Sequence, residues 1–152
     1  GPCRMNKILV VNGPNLNMLG KREPGLYGSL TLADIESLCI ATGTGLGVEV
    51  ATFQSNSEGA LVTRIQNMAE NGETGLIINA GAYTHTSIAI HDAIRAVSPK
   101  VIELHISNVH AREDFRHKSY LSAISDGVIV GLGSDGYMYA VQHMSKLLGK
   151  AD

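Results

Sequence analysis

Five short apolar runs punctuate the chain, at residues 8–11, 48–53, 75–78, 101–106 and 128–132. They are rich in Val and Ile, as strands buried on both faces should be. Their starts are 40, 27, 26 and 27 residues apart. That is the cadence of strand, loop, helix and loop, and it predicts parallel strands joined by crossovers. The intervening segments carry helical periodicity. Leu32, Ile35, Leu38 and Cys39 recur at helical spacing behind a Thr31…Asp34 capping box. Leu61, Val62, Ile65, Met68 and Ala69 form a second stripe that stops at Asn71-Gly72, and Gly43-Thr44-Gly45-Leu46-Gly47 reads as the stop of the first. Ile88, Ala89, Ala93, Ile94 and Val97 form a third, ended by Ser98-Pro99. Tyr137, Val141, Met144 and Leu148 form the last, followed by Gly149, with its Tyr and Met expected in the core. Five β-α units in series predict an α/β fold, a flavodoxin-like doubly wound sheet of five parallel strands.

Two connections break this rhythm. Residues 12–30 are rich in glycine and proline, and residues 107–126 are crowded with polar groups. Connections of that length inside a compact domain are usually functional or disordered.

Composition narrows the function. The 152 residues suffice for one domain, carry a net charge of −2 and contain no Trp. Neither a global basic field nor a stacking platform for nucleic acid is present. Two cysteines, Cys3 and Cys39, make no disulfide framework, and no apolar run approaches the ~18 residues of a membrane span. No secretory leader is expected, which points to the cytoplasm. Residues 1–4 read as an appended remnant, leaving 5–152 as a single catalytic domain.

In an open α/β sheet, ligands sit beyond the carboxyl ends of the strands. The first strand delivers Asn12, Gly13, Pro14 and Asn15 there. The second delivers Gln54, Ser55 and Asn56, and the third delivers Asn79, Thr84 and His85. The fourth carries Glu103 and His105 on one face, alternating with Ile102, Leu104 and Ile106, and then Ser107 and Asn108. A buried Glu103 requires a partner, His105 or an arginine. The two long loops add Lys21, Arg22, Arg112, Arg116, His117 and Lys118, a set suited to a small anionic ligand. There is no phosphate-binding GxxxxGK[ST], no GxGxxG after a strand and no G-x-S-x-G elbow. A receiver domain would need an Asp where Asn79 stands. His85 and His91, like His105 and His110, lack the spacing of a metal pair. An acid–base site with no metal and no cofactor is therefore expected, with Tyr27, His85, His105 and several arginines as its candidates. A flavodoxin-like module that binds a flavin or another small anion without turnover would share the fold. It would have no use for Tyr27 near Arg22 or for His105 beside Glu103.

Three segments carry a resemblance: Asn12-Gly-Pro-Asn-Leu-Asn-Met-Leu-Gly-Lys-Arg-Glu-Pro with Tyr27-Gly28, Asn79-Ala-Gly-Ala-Tyr-Thr-His-Thr-Ser87, and Glu103-Leu-His-Ile-Ser-Asn-Val-His-Ala-Arg-Glu-Asp-Phe-Arg116. Together they resemble type II 3-dehydroquinate dehydratases, over residues 7–148. The resemblance implies a lyase of the shikimate pathway, in aromatic amino acid biosynthesis. It would eliminate water reversibly, in the anti sense, from 3-dehydroquinate to give 3-dehydroshikimate through an enolate. Tyr27 matches the family's base, Arg22 its supporting residue, His105 the general acid with Glu103 beside it, and Asn15 the holder of an enolate-stabilising water. Asn79, His85, Ile106, Ser107 and Arg116 match substrate-binding positions, and Arg112 a second arginine near the base. Asp92 matches a residue contributed by a neighbouring subunit of a homododecamer, a tetramer of trimers.

Overall fold

A computed structural model describes residues 5–21 and 30–150. Five strands, β1 (Lys7–Asn12), β2 (Glu49–Gln54), β3 (Gly75–Asn79), β4 (Lys100–His105) and β5 (Gly127–Val130), form one sheet. It is parallel throughout, in the order β2-β1-β3-β4-β5, as the crossover cadence predicts. The helices are α1 (Leu32–Gly45), α2 (Glu58–Gln66), the single turn α3 (Met68–Asn71), α4 (Ile88–Val97) and α5 (Asp135–Lys150).

Strand alternation divides the core into two layers. Ile8, Val10, Ile77, Ile102 and Leu104 face α1 and α5, against Ile35, Cys39, Tyr137, Val141 and Met144. Leu9, Val11, Leu76, Ile78 and Val101 face α2 and α4, against Leu61, Ile65, Ile90 and Ile94. The cysteine thiol at position 39 is pushed up to about 12 by burial, with Glu36 adding to it, so it stays protonated.

Helix boundaries largely follow local chemistry. Thr31 Oγ1 accepts from the Asp34 amide, while Asp34 accepts from the Thr31 amide, closing the expected capping box. Gly72 and Ser98 take left-handed conformations that end α3 and α4. The glycine run stops α1 as expected, the helix ending at Gly45 with Leu46 as its cap. A Cβ on Gly43 would lie 2.5 Å from the Val50 side chain and 3.0 Å from the Val48 carbonyl oxygen, so this glycine serves close helix–strand packing. Two helix expectations are corrected: the second stripe is interrupted at Asn67 and forms two helices, and Gly149 lies within α5 instead of following it.

The site is prepared at the point where the strand order reverses. The chain leaves β1 towards β2 and returns to β3 on the other side of β1, which opens a crevice at the carboxyl ends of β1 and β3. Asn12 pairs with Gln54 on one side and Asn79 on the other, so three polar strand ends lie in one row. The turns leaving β1 and β3 then touch. A Cβ on Gly13 would sit 2.4 Å from the Ala80 carbonyl oxygen, and the Gly13 amide donates to the Asn79 carbonyl at 2.8 Å. Gly81, at φ +59, takes a left-handed turn whose Cβ would meet the Pro14 carbonyl oxygen at 3.1 Å.

The long connection between β4 and β5 is ordered but carries no α-helix, so of the five expected β-α units only four have their helix. It contains three short 3₁₀ turns, Val109–Ala111, Asp114–Arg116 and Ser122–Ile124. Leu121 is fully buried and the Tyr120 amide donates to the Thr84 carbonyl, tying this loop to the one that follows β3.

Candidate active site

A cavity of about 260 Å³ occupies the crevice. Asn15 and Leu16 come from the β1 end, Asn79 and His85 from the β3 end, and His105, Ile106, Ser107, Arg112 and Arg116 from β4 and the loop beyond it. The structure therefore gathers eight of the sequence-predicted residues around one space: Asn15, Asn79, His85, His105, Ile106, Ser107, Arg112 and Arg116. Glu103 lies directly behind His105. Asp92 does not join them; its side chain is 71% exposed on α4 and meets His91 Nδ1 at 3.1 Å. Arg22 and Tyr27 lie outside the described residues.

The pattern of alternating residues on β4 puts Glu103 and His105 on the same face, and the two side chains meet. His105 Nε2 and Glu103 Oε2 are 2.5 Å apart, with Glu103 only 1% exposed. Burial alone would raise the Glu103 carboxyl. Hydrogen bonds from His105 and Ser122, the charge of His105 and a further bond to Ser119 outweigh it and hold the carboxyl below its ordinary range. An ionised Glu103 requires the proton on His105 Nε2, so Nδ1 is the ring nitrogen left for a ligand.

Ser122 was not visible as a functional residue in the sequence. Its hydroxyl donates to Glu103 Oε1 at 2.5 Å, while Ser119 Oγ accepts from both the Leu121 and Ser122 amides and fixes that turn. The carboxylate is thus held from two sides, by β4 and by the long loop. Because the folded carboxyl sits below its ordinary value of 4.5, its interactions stabilise the fold fully above that pH. The contribution is lost as the pH falls through the lower folded value. Ser122→Ala should cost about 1.5–3 kcal/mol at pH 7, the worth of a hydrogen bond to a charged group. The gap to wild type should shrink as the pH drops below 4.5. Urea unfolding between pH 7 and 3 measures this, and a gap independent of pH would contradict it.

His85 stands beside His105, with ring centroids 6.3 Å apart and planes 18° from parallel. Its Nδ1 meets the Lys118 carbonyl at 2.7 Å and must carry a proton to do so. Arg112 and Arg116 supply positive charge from the loop, and Glu113 lies between them, with Oε1 3.0 Å from Arg116 Nε and 3.7 Å from Arg112 Nε. The two guanidiniums are thus partly balanced and held in place. Asn15 adopts φ 70, a left-handed conformation that Asn tolerates better than most residues. Its amide donates to Asn56 Oδ1 at 3.0 Å, and its side chain makes no capping bond.

The arrangement can donate a proton from a buried, charge-supported imidazole to an anionic ligand clamped by two arginines. Among the described residues, no group of three or more His, Cys, Asp or Glu could hold a metal ion.

The model of one family, Dehydroquinase class II, matches residues 6–145. The chain belongs to the class II dehydroquinase family. It is 55% identical over 142 residues to 3-dehydroquinate dehydratase 1 of Agrobacterium fabrum, covering 93% of this chain and 97% of that protein. It is 57% identical over 138 residues to catabolic 3-dehydroquinase 1 of Neosartorya fischeri, covering 91% of each. Its fold matches the crystal structure of type II dehydroquinase from Propionibacterium acnes with a TM-score of 0.87 at 41% identity, over 95% of this chain and 99% of that one. The five-stranded parallel sheet, in the order β2-β1-β3-β4-β5, is the flavodoxin-like topology of this family.

Proposed function

We propose that this class II dehydroquinase catalyses the reversible anti elimination of water from 3-dehydroquinate, giving 3-dehydroshikimate, with no metal and no cofactor. The observation that carries the reading is the His105–Glu103 pair lining a cavity flanked by Arg112 and Arg116. The substrate is a carboxylate, which suits the arginines.

In this mechanism Tyr27, supported by Arg22, removes the proton alpha to the ketone as a phenolate. The electron pair moves to the ketone oxygen, and the enolate is stabilised by a water held on Asn15. The pair then returns, the carbon–oxygen bond breaks, and the leaving hydroxide takes the Nδ1 proton of His105. Glu103 supports the imidazolium before that transfer and keeps the ring oriented afterwards. Asn79, His85, Ile106, Ser107, Arg112 and Arg116 bind the substrate around this axis.

Asp92 belongs to the same site through assembly. It is exposed outside its own chain's cavity, near Ile88, which is 57% exposed, while Ile90 and Ile94 are buried within the chain. A neighbouring subunit in a trimer would receive it, and four trimers would make the homododecamer. No helix among the described residues is long and apolar enough to cross a membrane. The proposed setting is the cytoplasm, where the Cys39 thiol stays reduced, with no nucleic-acid or membrane partner. Relatives carry both plain and catabolic names, and the elimination is the same chemistry in either role.

Incubation with 3-dehydroquinate should produce the ultraviolet absorbance of a conjugated enone. Absence of that signal from folded protein would refute the assignment.

A further inference from the structure

Beneath the cavity runs a line of hydrogen bonds whose direction is set by a group that cannot turn around. The Gly81 backbone N–H donates to Asn79 Oδ1 at 3.2 Å. That fixes Asn79 Nδ2 on the other side, where it donates to Tyr137 Oη at 3.0 Å. Tyr137 spends its single proton on Asn12 Oδ1 at 2.5 Å. The three side chains are 4%, 0% and 0% exposed, so no bulk water competes. Reversing the Asn79 amide would set its N–H against the Gly81 N–H, and the polarity therefore holds from end to end. The cost falls on Asn12, whose Nδ2 has no partner among the described residues. An orphaned buried donor is unfavourable, and a chain selected only for packing would place Phe, not Tyr, at position 137. Of Asn12, Asn79 and Tyr137, only Asn79 lines the cavity.

We propose that Tyr137 is a positioning residue that locks the Asn79 amide with its second Nδ2 proton available to the substrate, so that the site offers a donor there and selects an oxygen acceptor, a hydroxyl or a carboxylate, on the ligand. The inference rests on the reading of Asn79 as a substrate-binding residue. Burial pushes the Tyr137 hydroxyl well above its ordinary range, with the Asn79 hydrogen bond opposing, so it keeps its proton throughout the working pH.

The test is a double-mutant cycle on the intact protein with 3-dehydroquinate. Tyr137→Phe should lower kcat/KM about tenfold, mainly through KM, as expected for one lost orienting hydrogen bond. In an Asn79→Ala background the same substitution should change kcat/KM less than about twofold, while it lowers Tm in both backgrounds. Equal fold-changes in kcat/KM in the two backgrounds would show that Tyr137 acts by packing and would overturn the proposal. So would an unchanged kcat/KM in Tyr137→Phe alone. If Asn79→Ala by itself leaves kcat/KM intact in an enzyme whose wild type is active, the reading of Asn79 fails, and the inference falls with it. A wild type inert towards 3-dehydroquinate would instead refute the activity. Should Tyr137→Phe not fold, Asn12→Ala leaves the ring in place and removes the acceptor of its proton. That variant should lower kcat/KM in the wild-type background and have no effect in the Asn79→Ala background.

Discussion

His105→Asn should lower kcat by about 10²–10⁴-fold, the range of a lost general acid, while KM for 3-dehydroquinate stays within a few-fold. The geometry commits His105 Nε2 to Glu103 and leaves Nδ1 for a ligand. Asparagine fills part of the volume and keeps a polar edge, but it cannot carry a mobile proton near neutral pH. Hydroxide is a poor leaving group without that proton, so the loss belongs to the chemical step rather than to binding. Glu103→Gln should act in the same direction through His105. A glutamine cannot stabilise the imidazolium, and it brings a donor where Nε2–H and the Ser122 hydroxyl both need an acceptor. Enone formation at saturating substrate reads kcat, and circular dichroism confirms the fold. Wild-type turnover in His105→Asn would remove it from the role of acid.

Much of this site was legible because its residues sit at positions where the backbone dictates direction. Glu103 and His105 are two apart on a strand, and a strand sends such residues to one face. Asn12, Asn79 and Gln54 end neighbouring parallel strands, and the register aligns them. Arg112 and Arg116 could be assigned to the site because the loop after β4 must begin at the sheet's carboxyl edge. What stayed hidden depends on contacts between distant segments. Ser122 is one of several serines in a polar loop, and nothing local marks it as the one that reaches Glu103 across 19 positions. Tyr137 was readable as core, and it is core, yet its hydroxyl answers to Asn12 and Asn79 on two other elements. Gly43 was readable only as part of a helix stop, because its close contacts, the Val48 carbonyl and the Val50 side chain, lie just before the next strand and at its start.

Tyr27→Phe should remove nearly all turnover, by at least about 10²–10⁴-fold in kcat, and leave substrate binding measurable. Tyr27 lies outside the described residues, but the residues that precede its segment are described. Pro14, Asn15, Leu16 and Leu19, which lead into that segment, line the cavity. Among the described residues, the cavity's titratable groups are two imidazoles and two guanidiniums. His105 Nε2 is committed to Glu103, which fits the proposed acid, and arginine is not a base at working pH. Only the His85 ring, with Nδ1 on the Lys118 carbonyl and Nε2 unpaired among the described residues, competes for the base. A tyrosine has an ordinary pKa of ~10, so the proposed base needs nearby positive charge to act as a phenolate; Arg22, five residues before Tyr27 in sequence, is the expected source. Phenylalanine keeps the ring and removes only the oxygen that would take the proton, so binding contacts survive while deprotonation stops. Steady-state kinetics gives the loss in kcat, and titration of the variant with 3-dehydroquinate under calorimetry gives the retained affinity. Near-normal turnover in folded Tyr27→Phe would pass the role of base to His85, and His85→Ala would then carry the loss instead.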